Sequence, residues 1–219
     1  MSQVHILNFH GIGSPPDSVD ADERRVWITV ELFEEIIKQF GHLADVEFTF
    51  DDGNVSDFSI ALPVLARHRL RGNFFIVTNR IDQPGYLSRS QITEMAQQGM
   101  LIGSHGQKHI SWRGLNSQQL LAEVDTSKKV LEDLLCQPVT CAACPFGSYD
   151  RKVLAALKTS GYSHVYTSDR GSADSAAWFQ PRNTIHAQDS LTSIQQALDP
   201  LNPVQNVLRS LKLLVKQWR

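Results

Sequence analysis

Short apolar runs with strand character alternate with longer stretches of helical periodicity almost from end to end, and this alternation restricts the chain to few folds. Strands are expected at residues 4–9, 46–50, 73–77, 100–103, 139–144, 164–167 and 183–186. Between them, residues 30–40 carry Phe33, Ile37 and Phe40 on one helical face. Residues 117–135 put Leu120, Val124, Leu131 and Leu134 on one stripe. Helices are also expected at 58–70, 90–98 and 149–160, the last stopped by Gly161. Strands alternating with helices imply a parallel sheet. The 219 residues suffice for one such domain with a large core. The expected fold class is therefore α/β, a single distorted (β/α)7-type barrel over residues 1–202.

The ends of two of these strands carry unusual chemistry. Residues 46–50 alternate like a half-buried strand and run into Asp51, Asp52 and Gly53. Successive strand side chains point to opposite faces, so the two carboxylates are expected to have different jobs, one binding a metal and one acting as a base. Residues 100–103 run into Ser104-His105-Gly106-Gln107-Lys108-His109. A spacing of four would put His105 and His109 on one side of a helical turn. One Asp and two His make a three-ligand set with positions left for water and substrate, as in hydrolytic metal sites.

Bulk composition excludes some functions. A net charge of −2 gives no general attraction to nucleic acid. The start, Met1-Ser2-Gln3-Val4-His5, lacks the basic and apolar pattern of a secretory signal, so a cytoplasmic location is expected. Cys136, Cys141 and Cys144 are odd in number, which argues against a disulfide framework, and no fourth zinc ligand accompanies them. The tail, 203–219, carries an apolar stripe of Val204, Val207, Leu208, Leu211, Val215 and Trp218 beside Arg209, Lys212, Lys216 and Arg219. It reads as an amphipathic basic helix that closes the barrel or makes peripheral contact with a membrane.

With these segments in order, the chain resembles the polysaccharide deacetylases, the carbohydrate esterase family with the chitooligosaccharide-deacetylase homology domain. Thr49-Phe50-Asp51-Asp52-Gly53 matches that family's first motif, and the resemblance implies that Asp51 is the catalytic base and Asp52 a metal ligand. His105 and His109 match its His-x-x-x-His motif, and Cys144-Pro145-Phe146-Gly147 its third, whose Phe146 N–H would help hold an oxyanion. Pro181-Arg182-Asn183-Thr184-Ile185 resembles a further segment of many members. The pattern departs at Gly106, where a hydroxyl residue is frequent, and at Ala143, where an Arg orients the base, which leaves Arg182 as the candidate cation. The usual C-terminal Leu-x-His, source of the general acid, is missing. His10, ending the first strand, resembles the early His of circularly permuted members and is the candidate acid, with His186 as runner-up.

The activity implied is metal-dependent removal of an N-acetyl group from an amino sugar or glycan. One divalent ion on Asp52, His105 and His109 is implied, with zinc suiting the donors best and cobalt, nickel or iron also compatible. Trp112, Trp178 and Pro145 are candidate contacts to the saccharide, because aromatic faces stack on sugar rings. Hydrolysis of another non-peptide amide and a non-catalytic carbohydrate-binding role are the alternatives, and the oligomeric state is left open.

Overall fold

The computed structural model describes residues 3–199, except 18 and 20, together with 211, 213, 215, 216 and 218. Six strands stand parallel and side by side in chain order: β1 (Gln3–Phe9), β2 (Val46–Asp52), β3 (Asn73–Ile76), β4 (Leu101–Ser104), β5 (Cys141–Ala143) and β6 (His164–Thr167). Three short strands follow, β7 (Ser172–Asp174), β8 (Phe179–Pro181) and β9 (Asn183–Thr184). β8 runs parallel to β6, while β9, two residues further on, runs parallel to β1. The stretch from β8 to β9 thus bridges the two ends of the sheet and nearly closes a barrel, with Arg182 at the bridge. Of the strand expected at 183–186, only 183–184 form one, β9, and β8 before it was not expected. β7 lies antiparallel to β1 and has no counterpart in the sequence reading.

The helices lie outside the sheet for reasons legible in their sequences. α1 (Val30–Phe40) is capped by Thr29, whose hydroxyl accepts from Leu32 N–H, and it buries Phe33, Ile36, Ile37 and Phe40. A π-helical turn, Asp57–Ala61, leads into α2 (Leu62–Arg67). α3 (Arg89–Gln97) starts with a Ser88–Gln91 capping box. The long stretch expected at 117–135 is α4 (Ser117–Leu121) and α5 (Ser127–Leu135), joined by a π-helical turn, Ala122–Thr126. α6 (Arg151–Thr159) and α7 (Leu191–Leu198) complete the set, α7 being absent from the sequence reading.

Strand alternation sorts side chains into two cores. Leu7, Phe9, Phe48, Phe50, Phe74, Ile102, Ala142 and Val165 face the helices. There Phe50 stacks on Phe74 at 4.5 Å between ring centres and on Phe9 at 5.3 Å. A second, smaller cluster of Val4, Ile6, Phe75, Cys141, Ala143, Tyr166 and Ala173 fills the barrel interior. Gly103 is required there, because a Cβ at that position would lie 2.6 Å from the Phe75 ring. Cys141 and Cys144 are buried and unpaired, and Cys136 is exposed and unpaired.

No helix among the described residues is long and apolar enough to cross a membrane. Of the expected tail stripe, Val204, Val207 and Leu208 lie outside the described residues, as do Arg209, Lys212 and Arg219. Residues 211, 213, 215, 216 and 218 are helical.

Candidate active site

The C-terminal ends of the strands open on a cavity of about 320 Å³ lined by His10, Asp51, Asp52, Arg80, His105 and Phe146, among others. His10 follows β1, the Asp pair ends β2, Arg80 follows β3, His105 follows β4, and Phe146 follows β5. Such a rim gathers side chains from many strands, because parallel strands all point their C-terminal ends the same way.

Both carboxylates reach this cavity, contrary to the alternation expected of an extended strand. Asp52 has φ 79°, in the left-handed region, so the strand geometry breaks at that residue and its carboxylate turns toward the cavity. His105 and His109 also meet there without the expected helical turn. The segment after β4 is a loop, with Gly106 at φ 80° and His109 at φ 55°.

That loop is held by a residue the sequence reading missed. Glu123, buried in the π-helical turn between α4 and α5, accepts from Gln107 N–H at 2.9 Å and Lys108 N–H at 3.1 Å through one oxygen, Oε2. A Cβ at Gly106 would lie 2.9 Å from that oxygen. A glycine here therefore makes room for Glu123, which does the steadying expected of a hydroxyl. Glu at this place interrupts no apolar stripe, so its helix gave no signal of a buried acid.

Asp52, His105 and His109 offer ligand atoms that all lie within 4.8 Å of one another. Asp52 Oδ1 is buried without a hydrogen bond of good geometry, although His109 Nε2 and His105 Nε2 stand 3.0 and 3.7 Å away. An oxygen so placed, facing two imidazole nitrogens, fits a divalent cation. His105 Nδ1 lies 2.9 Å from the Ala143 carbonyl, which can only accept, so the proton is on Nδ1 and Nε2 is free to ligate. Burial pushes the His105 imidazole down to about 4, keeping it neutral. Arg80, a second residue missed from sequence, places Nη1 3.4 Å from Asp52 Oδ1 and Nη2 3.2 Å from His109 Nδ1. Burial would raise the Asp52 carboxyl. The close contact and charge of His109, with His10 and His105, outweigh it and hold the group well below its ordinary value.

Asp51 is bound differently. Arg182, fully buried, grips it with both arms, Nη1 to Oδ1 and Nη2 to Oδ2, each at 2.7 Å. The guanidinium lies over Phe75 at 5.2 Å and Tyr166 at 5.9 Å, so the barrel interior supplies its floor. Asn8, a third missed residue, accepts from Arg182 Nη1 at 2.7 Å and donates to Asp51 Oδ2 at 3.1 Å. Its one signal in the sequence was an amide inside an apolar strand. Burial alone would raise the Asp51 carboxyl, but Arg182, then His105 and His10, hold it down at about 2. His10 Nε2 stands 3.9 Å from Asp51 Oδ2 on the cavity side. Asp57 is fully buried with neither carboxylate oxygen hydrogen-bonded. Burial, with the charges of Asp52 and Asp51, pushes it well above its ordinary value.

The candidate saccharide contacts are not gathered at the cavity. Trp112 is about 1% exposed and packs in the core under Gly106, so it offers no face to a ligand. Trp178 lines a separate groove of about 460 Å³ with Arg151, Lys158, Phe179 and Trp218, and its Nε1 donates to Tyr162 O. Pro145 is buried, whereas Phe146 beside it is 67% exposed and sets its ring 4.6 Å from that of His109. His186 does not line the cavity and pairs instead with Asp189 at 3.6 Å.

The sequence model of the polysaccharide deacetylase family matches residues 43–165. That span holds the Asp pair, the His pair and the Phe146 loop, and leaves out His10 and Arg182. A putative polysaccharide deacetylase of Bacillus subtilis strain 168, YxkH, is 34% identical over 128 residues, 58% of this chain and 46% of that protein. The peptidoglycan-N-acetylmuramic acid deacetylase PdaA of the same organism is 29% identical over 126 residues, 56% and 46% respectively. The chain thus spans less than half the length of these curated relatives. The structure of the Streptococcus pyogenes deacetylase PplD in complex with acetate superposes with a TM-score of 0.79 at 21% identity, over 91% of this chain and 99% of that one, which establishes a shared fold.

Proposed function

Because the chain belongs to the polysaccharide deacetylase family, we propose that it is a metal-dependent hydrolase that removes N-acetyl groups from an amino-sugar glycan. The observation that carries this reading is one cavity wall holding two kinds of carboxylate. Asp52 faces two imidazoles, and Asp51, 3.9 Å from His10, is clamped by Arg182. Asp52, His105 and His109 would hold the ion, and zinc suits this mixed oxygen and nitrogen set. When bound, the ion supplies Lewis-acid polarisation of the amide and a lowered pKa for water.

The chain's own groups supply the rest. Asp51 is ionised throughout the working pH range and accepts the proton of the attacking water. Arg182 keeps its carboxylate turned toward the cavity. Phe146, on the cavity wall, supplies the backbone N–H assigned to the developing oxyanion. His10, whose Nε2 stands 3.9 Å from Asp51 Oδ2, protonates the departing amine, which is the part an early His plays in the permuted members that the chain resembles.

Acetate release from N-acetylglucosamine oligomers by zinc-loaded protein tests the reading directly. Asp51→Asn is expected to keep its metal while turnover falls on the order of a hundred- to ten-thousand-fold. Asp52→Asn is expected to lose metal, and His10→Ala to lose turnover with metal retained. A zinc-loaded wild type that releases no acetate from oligomers or polymers of N-acetylated amino sugars would refute it.

A further inference from the structure

We infer that Lys216, in the C-terminal tail, is a positioning residue that fixes the Pro145–Gly147 loop in the shape that offers Phe146 N–H to the cavity. The inference rests on the deacetylase reading for its catalytic consequence, but the strap itself is a matter of contacts. Lys216 Nζ donates to the Gly147 carbonyl at 2.7 Å and to Asp169 Oδ1 at 2.7 Å. It also stands 4.3 Å from the centre of the Tyr149 ring. The other Asp169 oxygen, Oδ2, accepts from Tyr149 Oη at 2.7 Å and Thr167 Oγ1 at 2.8 Å. A single carboxylate thus ties together the end of β6, the residue leading into α6 and the tail, and the ammonium joins that knot to the loop.

The loop needs such a tie. Phe146 has φ 57°, a left-handed conformation that an L-residue with a large side chain avoids, and Gly147 after it has φ 57° as well. A conformation of this kind persists only where its surroundings impose it. On the barrel side they do: Gly147 N–H donates to Cys144 O and Ser148 N–H to Pro145 O, each closing a turn. The space beyond Gly147 is filled, since a Cβ there would lie 2.9 Å from Ser168. On the outer side, the group that holds the Gly147 carbonyl is Lys216. Release of the Gly147 carbonyl would let the left-handed Phe146–Gly147 pair relax, which shifts the Phe146 N–H and lifts its exposed ring from His109, 4.6 Å away. Among the described tail residues, Lys216 and Leu213 are partly buried, whereas Leu211, Val215 and Trp218 are more than half exposed.

The test uses the full chain with Lys216→Gln, Lys216→Arg and, as an approach from the opposite partner, Asp169→Asn. Amide hydrogen exchange at Gly147 and Ser148, whose N–H groups close the loop's turns, reads the loop without reference to activity. Lys216→Gln and Asp169→Asn are expected to speed it by about tenfold or more, and Lys216→Arg to restore most of the protection. In deacetylation by the zinc-loaded protein, Lys216→Gln is expected to lower kcat by roughly tenfold with KM within about twofold, because the donor is misplaced rather than removed. Exchange that is unchanged in folded Lys216→Gln and Asp169→Asn overturns the strap. Faster exchange with unchanged kcat overturns the positioning role. An inactive wild type would instead defeat the deacetylase reading, and the exchange data would still decide whether Lys216 shapes the loop.

Discussion

Replacing Arg182 with methionine isolates the physics at the centre of this barrel. The side chain is fully buried, and its loss removes two 2.7 Å hydrogen bonds to Asp51 and one to Asn8, leaving a carboxylate inside the protein without its guanidinium partner. Removal of one partner of a buried pair costs about 3–5 kcal/mol. For a domain of this size that corresponds to a fall in Tm of roughly 6–20 °C. The pH dependence carries the sign. In the wild type Asp51 is held at about 2, below the roughly 3.9 of an unfolded Asp. Its ionisation therefore contributes about 2–3 kcal/mol that is fully present above pH ~4 and is lost as the pH falls through ~2. Without Arg182, burial raises the same carboxyl above its unfolded value, so its ionisation opposes folding as the pH rises past ~4. The stability gap between wild type and Arg182→Met is thus expected to be widest near neutrality and to narrow below pH ~4. Urea denaturation of the metal-free proteins between pH 7 and 3, followed by circular dichroism, measures it. Asp51→Asn should recover part of the loss when combined with Arg182→Met. A gap under about 1 kcal/mol at pH 7, or one that does not change with pH, would refute the reasoning.

His105→Ala and His109→Ala are each expected to abolish stoichiometric metal uptake, read by elemental analysis after dialysis against zinc; full occupancy in either would displace that residue from the ligand set. Glu123→Ala, by freeing the Gln107 and Lys108 amides, is expected to weaken metal affinity about tenfold or more in a chelator competition, and unchanged affinity would show that the loop holds itself. Cys136 is expected to react with a thiol reagent in the native protein while Cys141 and Cys144 do so only on unfolding, since they are buried and burial raises both thiols, that of Cys144 to about 12; labelling of all three without denaturant would contradict this. Trp178→Ala is expected to leave kcat/KM within about twofold, because it lines a groove outside the catalytic cavity; a larger loss would place substrate in that groove.

What the sequence by itself determined was local and periodic. Apolar alternation located β1 to β6 within a residue or two, since a strand's burial pattern is written along the strand. The family's motifs named Asp51, Asp52, His105, His109 and Phe146 because each sits in a short contiguous stretch. Tertiary structure decided whatever depends on partners far apart in the chain. Arg182 reaches Asp51 across 131 positions and Asn8 across 174, only because β8 and β9 bridge β6 and β1. Backbone conformation overruled pattern at Asp52 and His109, where positive φ sends side chains to a place that strand and helix periodicity would not. The same holds for Trp112, whose aromatic character fitted a sugar wall and whose burial put it in the core. Glu123 and Lys216 show the general reason. A polar side chain on a helix reads as solvated until the fold sets a loop's unsatisfied amide or carbonyl against it, and which loop that is depends on packing that no local stretch of sequence contains.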